Sequence, residues 1–411
     1  MKRSCKNIDI TDAETVYPWV LDCVLRHKKR HDFRDMLIHI GKMSRREYYD
    51  ALHTHNNNAF VQPAHNIARE AVRRIAARQL NLRPVRIRQR VDKSSGKLRD
   101  IGDEEAMQQV LDHIAVGAAE PIWRRRIVYH QVSSIPGRGQ VHGTRIIRRW
   151  IQQDNRAARW AHVHKVKYSR KCKYFVKLDI QKCYPSMRLE IFMQYFQRDC
   201  GNDDLLWLWE TLLQSHRVNG YQGFMIGALL SQWACQYLLS FVYRYAMDLH
   251  KTRRGQAQQL VTHMLLYMDD ILLFGSSRRD LKSAVRKIVA YTKDKFCLII
   301  KPNWHIQSID DAPVDMMGYV NHSTGKTTIR ARIFLRARRI ALRFLRRRRL
   351  DIQQARRIAS YKGYFIHSDS RKIVKKLRLM DLFAAAAQTV SRYDKDKGDL
   401  VYAKNTIWLP A

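Results

Sequence analysis

Acidic residues are scarce in this chain of 411 residues: 37 Asp and Glu stand against 76 Lys and Arg, a formal net charge of +39. A compact body with that excess repels itself unless a polyanion supplies the counter-charge, which disfavours a partnerless globule. Cysteine is sparse too. None of Cys5, Cys23, Cys172, Cys183, Cys200, Cys235 and Cys297 forms a C-x-x-C pair, and the 17 histidines show no metal-ligand spacing. Neither a zinc site nor a disulfide framework is expected, and a reducing, cytoplasmic setting follows. Long apolar runs are missing. The most apolar stretch, 223–243, is broken by Ser231, Gln232, Gln236 and Ser240, so it predicts a buried helix rather than a membrane span. The N-terminus has no apolar segment of the kind a secretory leader needs. There is no fixed-period repeat and no linker rich in Pro, Gly or Ser. Hydrophobic residues still make up 45%, enough to bury a substantial core.

Basic residues run the whole length, a pattern suited to an extended phosphate backbone. Residues 1–80 are polar, rich in His and Arg, and helical in period, with Tyr48, Leu52, Ile67, Ala71 and Ile75 as sparse apolar positions and a loop at Asn56-Asn57-Asn58. From Arg83 the period changes to two: Val85 and Ile87, a turn at Ser94-Ser95-Gly96, then Leu98 and Ile101, a strand–turn–strand signature. A helical stretch (106–122) and a loop, Pro136-Gly137-Arg138-Gly139, precede a strand over 174–179. Helices fill much of 188–250. Apolar runs 264–267 and 271–274 read as a hairpin, followed by a helix over 279–295 and short strands through Tyr319. In the basic helix predicted over 329–350, Ile329, Ile333, Ala337, Ile340 and Phe344 line one face, while Arg332, Arg336, Arg339, Arg343 and Arg346 line the other. Mixed ordering of this kind predicts the α+β class.

Two places put carboxylates where a fold alone would not. Asp179 ends an apolar strand, and Asp269-Asp270 sit at the tip of an apolar hairpin, where Asn-Gly or Asp-Gly would serve stability better. Adjacent like charges are costly unless a cation neutralises them. Three hard oxygen ligands on strands suit Mg²⁺, which keeps other positions for water and phosphates. Nucleotidyl transfer, an in-line displacement between two such ions, needs this set.

These residues resemble a known family. Tyr267-Met268-Asp269-Asp270 is the YMDD form of the reverse transcriptase active-site hairpin. The run 178–187, Leu-Asp-Ile-Gln-Lys-Cys-Tyr-Pro-Ser-Met, is similar to the first catalytic motif of bacterial reverse transcriptases, about 90 residues earlier. Residues 97–101 resemble the fingers hairpin, 108–122 and 136–139 the fingers segments after it, 223–232 the nucleotide-supporting motif, 315–319 the primer-grip strands, and 360–364 with 368–370 a thumb motif.

The resemblance implies a right-hand polymerase: an N-terminal basic extension (1–80), fingers (81–170), a palm with an antiparallel sheet flanked by helices (171–320, with inserted helices 188–250), a basic helical thumb (321–385) and a tail (386–411). It implies Asp179, Asp269 and Asp270 as catalytic, with the Ile180 backbone completing the ligands of two Mg²⁺, Mn²⁺ being the substitute ion. Lys97, Arg99, Tyr184, Ile226, Gly227 and Lys301 are implied in nucleotide binding, with the Tyr184 ring excluding a 2′-hydroxyl. Arg138, Gly318, Tyr319, Arg332, Arg336, Arg339 and Arg343 are implied in primer–template contact, each phosphate contact adding about 0.9 to the log–log salt slope on a B-form duplex.

One departure stands out: Met225-Ile226-Gly227 replaces Pro-Gln-Gly. Mutagenic enzymes of diversity-generating retroelements also carry Ile for that Gln, so low fidelity is expected, checkable as misincorporation on a defined template. The expected function is RNA-directed DNA synthesis in the bacterial cytoplasm, in a retroelement or anti-phage defence system. Its partners would be a specific non-coding RNA template, the cDNA product and dNTPs, with an accessory protein or a second copy as further candidates and no membrane. An RNA-dependent RNA polymerase and a catalytically silent RNA-binding scaffold are the alternatives; the aromatic at 184 argues against the first, the intact aspartates against the second. The stretch after the thumb motif is too short for a ribonuclease H domain.

Overall fold

Residues 3–406, except 92–95, 97, 219, 254 and 348, are described in a computed structural model. The chain divides into two units, Met1–Tyr129 with Asp179–Arg244 and Lys287–Lys301, and His130–Leu178 with Tyr245–Arg286 and Pro302–Ala411.

In the first unit the polar N-terminal region proves to carry a narrow apolar stripe. Helix Ala13–His27, capped by the Asp12 carboxylate on the Thr15 amide, buries Val16, Val20, Cys23 and Val24. That i, i+4, i+7, i+8 spacing packs it against helices Val61–Ala76 and Ala106–Ala118. Helix Arg45–His53 starts in a capping box of Ser44 and Glu47. The expected Asn loop is only partly one: Asn56 caps Asn58, and Asn57–Phe60 turns as a 3₁₀ helix. Strands Arg86–Val91 and Leu98–Asp103 pair antiparallel, with Val91 opposite Leu98, as period two predicts. The hairpin is not half-buried, however; Val91 and Leu98 are exposed. The core is aromatic: Trp123, Phe192, Phe196, Trp209 and Tyr237 pack together, and each indole donates to a backbone carbonyl, Val116 and Ala115 respectively. The predicted helix at 223–243 begins later, at Leu229; before it the chain bends at Gly223, Ile226 bridges Ile101, and Gly227 turns.

In the second unit a four-stranded sheet has the order His263–Tyr267, Asp270–Gly275, Tyr174–Asp179, Gln307–Ser308. Helix Gln140–Val163 covers it, with Trp150 stacked on His263 at 4.6 Å. A three-stranded antiparallel sheet (Val314–Met316, Tyr319–Asn321, Thr327–Ile329) follows. The C-terminal helices share a core of Ala337, Ile340, Phe344, Ile358 and Phe383. The basic helix runs only Ala331–Arg347. Ile329 is therefore a strand residue rather than part of the helical stripe. No helix among the described residues is long and apolar enough to cross a membrane.

Candidate active site

Hydrophobic strands on both arms hold the acidic hairpin. Met264, Leu265, Leu266, Ile271, Leu272, Leu273 and Phe274 are fully buried. The register ends with Tyr267 opposite Asp270, leaving Met268 and Asp269 as a two-residue turn. Met268 has φ +54°, a left-handed conformation that costs an ordinary side chain about 1–2 kcal/mol. Backbone strain of this kind collects at functional sites, where surrounding packing holds it in place. Here the packing is the buried pair of arms. Ser134 Oγ donates to Met268 Sδ at 3.8 Å, and Gln140 Nε2 donates to Tyr267 Oη at 3.2 Å. The Gln140 side-chain Oε1 in turn accepts from Tyr364 Oη at 2.7 Å. A side-chain chain thus ties the turn to the C-terminal helices. Segment 130–132 lies parallel along the same strand, through Leu266 N to His130 O and Val132 N to Leu266 O.

Asp179 ends the strand that neighbours Asp270–Gly275 in the sheet order. Past it the chain pairs with residues 299–301: Ile180 bridges Ile300, Gln181 N donates to Ile299 O, and Lys301 N donates to Asp179 O. Lys301 Nζ then meets Asp179 Oδ1 at 2.6 Å. The ammonium, expected at a triphosphate, here stands as a cation on the first aspartate. That ion pair shows the Asp179 carboxylate set beside a cation, and carboxylate oxygens such as those of Asp179, Asp269 and Asp270 are hard donors of the kind a divalent ion takes.

Tyr184 is half-buried in the short helix Cys183–Ser186, and its carbonyl accepts from Phe224 N at 2.9 Å. A Cβ at Gly223 would lie 2.2 Å from the Pro185 carbonyl oxygen, so close chain crossing demands that glycine. The Ile226 carbonyl accepts from Gly102 N at 2.9 Å, joining this segment to the hairpin of Arg86–Val91 and Leu98–Asp103. Gly227 has φ +108°, and an added Cβ would sit 3.0 Å from Ile101. Backbone geometry alone accounts for glycine at 227. Arg99 is exposed opposite Arg90, while Lys97 lies outside the described residues.

Arg138 Nη1 donates to Gln131 O at 3.2 Å. Gly318, at φ +82°, forms a two-residue turn with Met317, and its Cβ position is taken by Tyr364 at 2.5 Å. The Tyr319 ring is buried against Tyr364, and burial pushes its hydroxyl up to about 12. Its side chain is therefore a packing element. Arg332, Arg339 and Arg343 are exposed and Arg336 partly so, on the face opposite Ala337, Ile340 and Phe344. Gln140 carries no mark in the sequence: nothing local distinguishes a helix-opening Gln as a partner of Tyr267.

A family model described as reverse transcriptase (RNA-dependent DNA polymerase) matches residues 91–319. The chain belongs to the reverse transcriptase family. The matched span of this reverse transcriptase runs from the first hairpin to Tyr319 and holds all three aspartates, and its mixed helical and antiparallel content is an α+β right-hand polymerase fold. Among solved structures it is similar to apo telomerase from Candida tropicalis truncated from its C-terminal domain: TM-score 0.40, 12% identity, 60% of this chain and 55% of that one. It is also similar to telomerase from Candida albicans in complex with a TWJ fragment of telomeric RNA: TM-score 0.37, 10% identity, 75% and 61%. The chain thus spans 55% and 61% of the lengths of those two. No curated protein matches it.

Proposed function

We propose that this chain copies an associated RNA into cDNA from deoxynucleoside triphosphates, in a bacterial retroelement or anti-phage defence system. Asp179, Asp269 and Asp270, with the Ile180 carbonyl, would hold two Mg²⁺ ions. The observation that carries the reading is a strained acidic turn between two strand arms whose aliphatic residues are fully buried, adjacent in sheet order to the strand that ends on Asp179. A stability-driven hairpin would keep neither the strain nor the paired charges. When bound, two divalent ions raise the acidity of a primer 3′-hydroxyl and offset charge on the departing pyrophosphate.

The chain's own groups position the reactants. Lys301 compensates Asp179 and lies within reach of triphosphate oxygens. Arg99 supplies a second cation from the exposed hairpin. The Tyr184 ring stands against the sugar, and the backbone at Ile226–Gly227 supports the base. Arg138, Gly318, Arg332, Arg336, Arg339 and Arg343 follow the duplex, the charge of the five arginines set against phosphates. With Ile at 226 no side-chain amide contacts the nucleotide, and discrimination between bases weakens.

The deciding assay is extension of a DNA primer on a homopolymeric RNA template. Asp269→Ala with Asp270→Ala should lower the rate by on the order of 10³-fold while leaving RNA binding and the melting transition in place. Extension at the unmodified rate by that variant would refute the reading. Incorporation of ribonucleotides in preference to deoxynucleotides by the unmodified protein would point to an RNA polymerase instead.

A further inference from the structure

Away from the polymerase residues, three ligating side chains meet where helix Ala13–His27 packs on helix Ala106–Ala118. Cys23 and His27 lie four residues apart on one helical face, and His113 comes from the other helix. One ligand atom from each lies within 4.8 Å of the other two. We propose that Cys23, His27 and His113 form a Zn²⁺ site that staples these two helices, its fourth position filled by water.

Each imidazole is anchored to its own helix backbone through Nδ1, and His27 Nδ1 also lies 3.8 Å from Cys23 Sγ. His27 Nδ1 is 2.9 Å from the Cys23 carbonyl, and His113 Nδ1 is 2.8 Å from the Gln109 carbonyl. A carbonyl only accepts, so both Nδ1 atoms carry the proton and both Nε2 atoms keep the lone pair. Backbone anchoring of the non-ligating nitrogen is the usual support of a zinc-bound histidine. The nearby cations are already engaged: Arg26 pairs with Asp22 at 2.7 Å and Arg30 with Asp32 at 2.6 Å.

Cys23 is fully buried. Asp112 is itself wholly buried, and its Oδ1 has no hydrogen-bond partner. A divalent ion would bind the thiolate, the thiol proton leaving to solvent as the Zn–S bond forms. One thiolate and two imidazoles suit Zn²⁺ better than Mg²⁺ or Ca²⁺. Tetrahedral Zn²⁺ sets its ligand atoms roughly 3.3–3.6 Å apart, so binding would draw together side chains whose ligand atoms now lie within 4.8 Å of one another. Spacing along the chain conceals the set, because the third ligand lies 86 residues after the second.

The test uses the full chain without a histidine tag, at constant Mg²⁺. Zn²⁺ should bind at about one equivalent, release about one proton per ion at neutral pH and raise the melting temperature. Co²⁺ as probe should show thiolate charge-transfer absorption. Cys23→Ser should abolish that band, and His113→Gln should weaken Zn²⁺ binding by at least about 10-fold, while Cys297→Ser changes neither. Absence of a thiolate band in the unmodified protein would overturn the proposal, whatever the folding of the variants. So would zinc stoichiometry and affinity that survive both Cys23→Ser and His113→Gln.

Discussion

Gly227 holds a backbone angle of +108°, outside the range an L side chain adopts readily, with Ile101 3.0 Å from where a Cβ would stand. Gly227→Ala should therefore cost about 1–2 kcal/mol, read as a lower urea midpoint at unchanged slope. Tyr184 is a second single-residue case. If its ring excludes the 2′-hydroxyl, Tyr184→Ala should admit ribonucleotides by an order of magnitude or more, and unchanged sugar selectivity in single-nucleotide incorporation would refute that role. At this scale the sequence was most informative about residues that violate local economy. Asp179, Asp269 and Asp270 stand out because each interrupts apolar strand chemistry. Lys301 and Gln140 carry no such mark; a lysine after a strand and a glutamine opening a helix are unremarkable until Asp179 and Tyr267 are seen beside them.

The strand His263–Tyr267 begins with a histidine packed flat on Trp150, and burial lowers its pKa from 6.5 to about 4. The unfolded chain therefore binds this proton between pH 6.5 and 4 while the folded chain does not, so stability falls as pH falls through that window. The loss should reach up to about 3 kcal/mol by pH 4, and His263→Phe should flatten that part of the stability–pH curve. Element boundaries were legible where periodicity was strong. Strand Tyr174–Asp179 and both arms of the YMDD hairpin emerge within a residue of expectation. The helix expected from 223 begins at Leu229 because Gly223 crosses Pro185 and Ile226 joins Ile101, contacts that apolar composition does not encode. Ile329 has the right spacing for the basic helix yet pairs with Tyr319 as a strand. A hydrophobic period does not say where a helix must yield to a sheet.

Across the whole chain the positive charge is matched by very few internal acids, and one of them is deeply committed. Asp199 has no exposed surface and takes Arg126 Nη2 at 2.5 Å, Arg125 at 3.0 Å and Tyr237 Oη at 2.7 Å. Burial alone would raise its pKa, but the hydrogen bonds from Arg126 and Tyr237 hold it below the ordinary value of 3.8. Its contribution is thus complete at neutral pH and is lost only as pH drops below the carboxylate range. Asp199→Ala strands two arginines and should cost about 3–5 kcal/mol in chemical denaturation, without altering nucleotide selectivity of the folded fraction.

By itself the sequence determined the α+β class, most strands and helices, and the acidic motifs that mark a reverse transcriptase. These depend on side-chain period and residue chemistry over a few positions, which steric and solvation rules translate locally into strand, turn or helix. Only the tertiary structure decided that Lys301 meets Asp179, that Gln140 links Tyr267 to Tyr364, and that His113 joins Cys23 and His27. Such pairings join residues from distant parts of the chain, and their energies belong to the packing of whole elements, which no short window of residues contains.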